Sequence, residues 1–255
     1  PDVTVDPKTK KTKEYNFRAC FIDPFQGTVM ANYAFKDLKV KKAAILVDNT
    51  SDYAKGLTQF FKENFVKLGG EVVAEEAYLQ KDTDFKATLT KIKAAAPDFI
   101  YIPGYYQEVG LIVKQAREMG ITQPILGPDG FGNSQLYELA GTANLNDVFY
   151  TTQFSSLSEE EHVQNFLTNY EEKFGQSADM FSAMAYDATY VAKEAFERAG
   201  SAAPSAVNAE LGKTSGFVGV TGTFSFDELH NPIKSVTIVE VQNGKDVGVI
   251  EISSE

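Results

Sequence analysis

The 255-residue sequence has no tryptophan, one cysteine and two histidines. Each shortage excludes something. With Cys20 alone, no internal disulfide can form, a count that fits a reducing compartment and equally an exported protein that does without disulfides. His162 and His230 stand far apart in polar settings, and His162 reads as part of a solvated helix face. Cys20 has no histidine near it in sequence and reads as a small buried residue, not a nucleophile. Neither G-x-S-x-G nor H-E-x-x-H occurs. Gly212-Lys213-Thr214 matches the end of a phosphate-binding loop, but the required upstream glycine position holds Val207. Basic charge is also short, the net charge being −11. The one run of basic residues lies within 8–13, so a face able to neutralise phosphates is lacking and nucleic acid is excluded as a partner. No apolar stretch approaches the ~18 residues of a membrane span, and the start carries no signal-peptide pattern. The four methionines are Met30, Met119, Met180 and Met184. The chain opens at Pro1 and reads as one that has been cut, by processing or by design.

What is present is a core-forming chain, 43% hydrophobic, long enough for one large or two modest domains. Residues 42–48 form an apolar run without polar alternation, as expected of a strand buried on both faces. Asp52 stands where an N-cap would, and Leu57, Phe60, Phe61, Phe65 and Leu68 then recur at helical spacing until Gly69-Gly70. Residues 72–78 read as the next strand, and Asp84 as the cap of a helix through Leu89 and Ile92. Residues 99–102 read as a third strand. Val109, Ile112, Val113, Ala116 and Met119 stripe the following helix, and residues 124–127 form a very short fourth strand before a short helix at 136–140. Such strand-helix repeats predict a parallel sheet flanked by helices, with right-handed crossovers. A strand at 148–152 precedes long helices at 159–174 and 178–199. Antiparallel strands at 222–226, 236–241 and 247–252 end the chain, the last two joined at Asn243-Gly244.

In open parallel sheets ligands bind at the carboxyl ends of the strands. Tyr53 in "DNTSDYAKG", Tyr105 in "PGYYQE" and Asp129 in "LGPDGFGN" each follow a strand by a few residues. A carboxylate flanked by tyrosine rings suits a primary ammonium, through charge-assisted hydrogen bonds and cation–π contact. Taken singly, each has an ordinary explanation in packing or turn formation. The residues by themselves therefore give an α/β protein with a small-molecule crevice.

Several segments carry more than this. In order and spacing, "FRACFIDPFQG", "ILVDNTSDYAKG", "DTDFKATLTKIKAAAPDFIYIPGYYQEVGLIVKQAREMGI", "ILGPDGFGN" and "GVTGTFSFDELHNPIK" resemble the amino-acid-binding proteins of bacterial ABC importers. The branch is the leucine/isoleucine/valine-binding type, with the type I periplasmic-binding fold. The resemblance covers essentially the whole chain. It implies two α/β lobes joined by three crossing strands, with an amino acid held in the cleft. It puts Tyr53, Tyr105 and Asp129 at the ligand, with the acid on the α-ammonium, and adds Asp23 in the first crossing and Tyr186 on a later helix. Asp129 stands where leucine-binding members carry Glu, which puts ligand choice in question. No cofactor, bound metal or catalytic residue is implied. The location implied is the periplasm, or the outside of the cell as a membrane-anchored lipoprotein, with an ABC permease as partner.

The resemblance also implies a departure, because family members carry about a hundred residues ahead of the first crossing, including those that bind the ligand's carboxylate. The expected division is 1–21 as lead-in and first crossing, 22–141 with 234–255 as a complete lobe two, 142–154 as second crossing, 155–227 as a partial lobe one, and 228–233 as third crossing. A chain so divided would expose apolar faces of the helices at 159–199. It would bind amino acids weakly or not at all alone, and would take a complementing N-terminal chain or self-associate through the incomplete lobe. Solute capture for import is the principal reading. A ligand-sensing domain of the same fold coupled to a receptor or regulator is the alternative, which an attached effector would reveal. An enzyme comes third.

Overall fold

The computed structural model describes residues 2–252 and divides into two compact units. One comprises the chain up to Ile22, Gln153–Thr237 and the residues from Glu251 on. The other comprises Asp23–Thr152 and Ile238–Ile250.

The larger unit is a sheet with helices. Its elements are α1 (Asp23–Asn32, continued by a π turn over Tyr33–Asp37), β1 (Lys42–Asp48), α2 (Asp52–Lys67), β2 (Glu71–Tyr78), α3 (Lys86–Ala94), β3 (Phe99–Tyr101), α4 (Tyr106–Glu118), β4 (Ile125–Gly127), α5 (Gln135–Ala140) and β5 (Val148–Thr152). With β9 (Val236–Gln242) and β10 (Lys245–Ile252), the strands lie in the order β10-β9-β5-β4-β3-β1-β2. Pairing is parallel from β2 through β1, β3 and β4 to β5. The four strands expected to be parallel neighbours are so.

In β1 and β3 the absence of polar alternation has its cause in two-sided burial. Phe99 and Tyr101 of β3 pack on Phe61, whose ring stacks on Tyr101 at 4.0 Å. Ile100 and the following Ile102 instead join Ala44, Leu46, Ile112, Val113 and Ile125 in the main apolar cluster. Residues 142–154, expected as a crossing, contain β5, whose five residues are all buried. The Val148, Phe149 and Tyr150 side chains of so buried a strand are stable inside a sheet and costly to expose outside it.

Helix starts correct the sequence reading at two places. Ser51, not Asp52, is the N-cap of α2, its hydroxyl accepting from the Ala54 N–H. Asp52 falls in the first turn, where its charge suits the helix dipole. Phe85, not Asp84, precedes α3. Its buried ring anchors the chain, while the Asp84 carboxylate accepts from the Lys86 N–H. α1 was not expected from periodicity, because Pro24 and Gly27 interrupt its apolar pattern.

The smaller unit holds α6 (Glu161–Phe174), α7 (Met180–Ala199), α8 (Pro204–Leu211) and an antiparallel sheet of β6 (Phe217–Gly219), β7 (Gly222–Phe226) and β8 (Pro232–Ile233). Asp179 caps α7 in a reciprocal box with Ser182. Asp187 on α7 is fully buried, its carboxylate accepting from the Val220 and Thr221 N–H groups and the Thr221 hydroxyl. Thr221 accepts in turn from the buried Lys234 ammonium at 2.7 Å. Cys20, expected to be buried, is half-exposed. His162 bonds the Gly219 carbonyl at 3.1 Å instead of standing on a wholly solvated face.

Candidate binding site

The residues that could meet a ligand in the larger unit gather where β1, β3 and β4 end. Tyr53 lies in the first turn of α2, Tyr105 is the extended N-cap of α4, and Asp129 opens a short 3-10 turn over Asp129–Phe131. All three are half-buried. The Tyr53 hydroxyl donates to Asp129 Oδ1 at 2.5 Å and accepts from the Gly130 N–H at 3.1 Å. The rings of Tyr53 and Tyr105 stack with centroids 4.9 Å apart. Burial, followed by the adjacent Asp129 carboxylate, raises the Tyr53 phenol well above its ordinary pKa. It is therefore a permanent donor at neutral pH.

The paired tyrosines after β3 divide their work. Tyr105 turns to Tyr53, whereas Tyr106 packs on the main apolar cluster. Gly130 permits the closeness, since a Cβ there would stand 2.4 Å from the Gly104 carbonyl oxygen and 3.2 Å from the Tyr53 hydroxyl.

Three further residues belong to this edge. Gln26 of α1 is 1% exposed, and its Oε1 accepts from the Asp129 N–H at 3.0 Å and the Thr151 hydroxyl at 2.8 Å. Tyr101 is wholly buried, and its hydroxyl has no hydrogen-bond partner among the described residues. Its phenol is raised first by burial and then by the carboxylates of Asp129 and Asp23. Sequence periodicity could not find these positions, because buried polar groups resemble turn or surface residues until their partners are known. The one available signal was Asp23-Pro24, an acid followed by proline, which marks a helix start.

Asp23 is the first residue of α1. Its Oδ2 lies 4.0 Å from where a Cβ on Gly56 would stand. Tyr186 belongs to the other unit, on α7, 38% exposed. It packs on Phe166 and Tyr190, with centroids 4.8 and 4.5 Å away. With Tyr170 and Phe174 these rings line a cavity of about 590 Å³. The hydrogen bond with Tyr190, then burial, pushes the Tyr186 phenol up to about 12. Among the described residues, no three His, Cys, Asp or Glu side chains are grouped to hold a metal ion.

A carboxylate beside aromatic rings can take a compact organic cation, with the rings excluding water and the acid supplying countercharge. Comparison with known proteins adds to this chemistry. The chain is 29% identical to the leucine-, isoleucine-, valine-, threonine- and alanine-binding protein of Pseudomonas aeruginosa, over 89% of this chain and 60% of that protein. It is 32% identical to Leu/Ile/Val-binding protein homolog 3 of Brucella melitensis, over 98% of this chain and 67% of that one. The branched-chain amino acid transporter substrate-binding protein LivJ of Streptococcus pneumoniae, solved in complex with isoleucine, matches at 37% identity and a TM-score of 0.89, covering 98% of this chain and 70% of that chain. The leucine-binding protein LivK of Thermotoga maritima matches at 36% identity and a TM-score of 0.87, over 96% and 71%. The chain thus spans about two thirds of the length of such relatives. The family model described as periplasmic binding protein matches residues 3–246, and the chain belongs to that family.

Proposed function

We propose that this chain is the solute-binding part of an ABC importer, capturing a branched-chain or similar small amino acid. The observation that carries the proposal is the Asp129 carboxylate, fixed by the hydroxyl of Tyr53, whose ring stacks on Tyr105. An amino acid's ammonium meets there a countercharge beside a tyrosine pair. Relatives named for leucine, isoleucine and valine support the ligand class. Tyr53, Tyr105 and Asp129 take the ammonium end, and Asp23 and Tyr186 are the further ligand contacts in this reading. The working location is the periplasm, or the outside of the cell as a lipoprotein, and the partner is an ABC permease.

Calorimetric titration with leucine, isoleucine, valine, threonine and alanine tests the proposal. Saturable heat for one or more of them, absent for the corresponding acids lacking the amino group, is expected. Equal binding of the des-amino acids, or no binding of any of the five by the chain supplemented with the N-terminal part that its relatives carry, would remove the function.

A further inference from the structure

The side chain of Gln26 is an expensive thing to bury. Transfer of an amide from water without hydrogen bonds is unfavourable, and a methionine would fill similar space without that cost. Gln26 is nevertheless 1% exposed on the inner side of α1. Its Oε1 accepts from two elements at once, the Asp129 N–H at the end of β4 and the Thr151 hydroxyl in β5. The amide thus contributes orientation.

The place of Gln26 is fixed by its neighbour. A Cβ on Gly27 would come within 2.9 Å of the Phe61 backbone nitrogen and 3.0 Å of Phe60 Cβ, so α1 lies directly against α2. Gln26 cannot retreat unless the two helices separate. Tyr53 fixes Asp129 from α2 through its carboxylate, and Gln26 fixes it from α1 through its backbone. Two restraints from adjacent helices hold one acid.

We propose that Gln26 is a positioning residue for ligand binding, acting through Asp129. The inference rests on the reading that Asp129 holds the ligand's ammonium. Gln26 sets the backbone from which that carboxylate projects.

The test is a double-mutant cycle with Gln26→Met and Asp129→Asn, read by leucine titrations carried to millimolar ligand and by thermal melts of the ligand-free chain. Gln26→Met alone is expected to weaken leucine binding by about 5- to 20-fold, the loss of one well-placed hydrogen bond. In the Asp129→Asn background the same change is expected to alter affinity by less than about twofold, since coupled residues do not add. If Gln26→Met does not fold, Thr151→Val removes the hydroxyl that braces the amide, and a loss confined to the Asp129 background supports the proposal in the same way. Equal losses with and without Asp129 would assign Gln26 a purely structural role and overturn it. Binding that Asp129→Asn weakens and neither Gln26→Met nor Thr151→Val touches would overturn this inference alone. A native chain that binds none of the amino acids even when supplemented with the N-terminal part that its relatives carry would overturn the proposed function, and this inference with it.

Discussion

Replacing Asp129 by asparagine removes one charge and almost no volume. An ammonium brought to ~4 Å from a half-buried carboxylate gains about 4 kcal/mol at an effective dielectric near 20. The amide oxygen of asparagine would still accept a hydrogen bond worth about 1 kcal/mol. The difference, about 3 kcal/mol, corresponds to about 150-fold weaker binding. The fold should change far less, because the Asp129 and Gly130 N–H groups keep their partners Gln26 and Tyr53, and the Tyr53 hydroxyl can donate to an amide oxygen. Calorimetric titration at pH 7 with leucine and with its des-amino analogue reads the effect, and a thermal melt confirms the fold. Leucine affinity within about threefold of the native value, in a variant that melts normally, would show that no ammonium sits against this acid.

Other substitutions test neighbouring features. Gly130→Ala puts a methyl 2.4 Å from the Gly104 carbonyl oxygen, a clash with backbone that no rotamer relieves. It is expected to destabilise the larger unit by about 1–3 kcal/mol and to weaken ligand binding; an unchanged urea midpoint would refute the packing argument. Tyr101→Phe removes a wholly buried hydroxyl that lacks a partner among the described residues, so stability is expected to rise by about 1 kcal/mol. A fall would mean that the hydroxyl is satisfied. Lys234 is buried, and desolvation lowers its pKa from 10.5 to about 8, opposed by the Asp187 charge. Between those values the unfolded chain binds more protons than the folded one. The smaller unit is therefore expected to gain stability as pH rises from 8 to 10, by about 2 kcal/mol from this group. Urea midpoints that rise in the native chain and stay flat in Lys234→Met would confirm the assignment; equal slopes would reject it.

The sequence by itself determined the strand-helix alternation, the parallel order of four strands and the residue types at their carboxyl ends. Apolar runs without alternation have few solutions other than a sheet covered on both faces, and turn residues after each strand mark roughly where the following helix lies. For the same reason Tyr53, Tyr105 and Asp129 were visible as candidates. Tertiary structure decided what local pattern leaves open. Ser51 and Asp52 are both good caps, and only the folded backbone makes the Ser51 hydroxyl the acceptor for Ala54. Residues 148–152 read as a strand, but membership of the sheet depends on pairing with β4, a long-range choice. The roles of Gln26 and Thr151 depend on partners 103 and 125 positions apart along the chain. A buried hydrogen bond between distant residues leaves no period in the sequence, because its energy comes from a geometry that exists only once the sheet and its helices have packed.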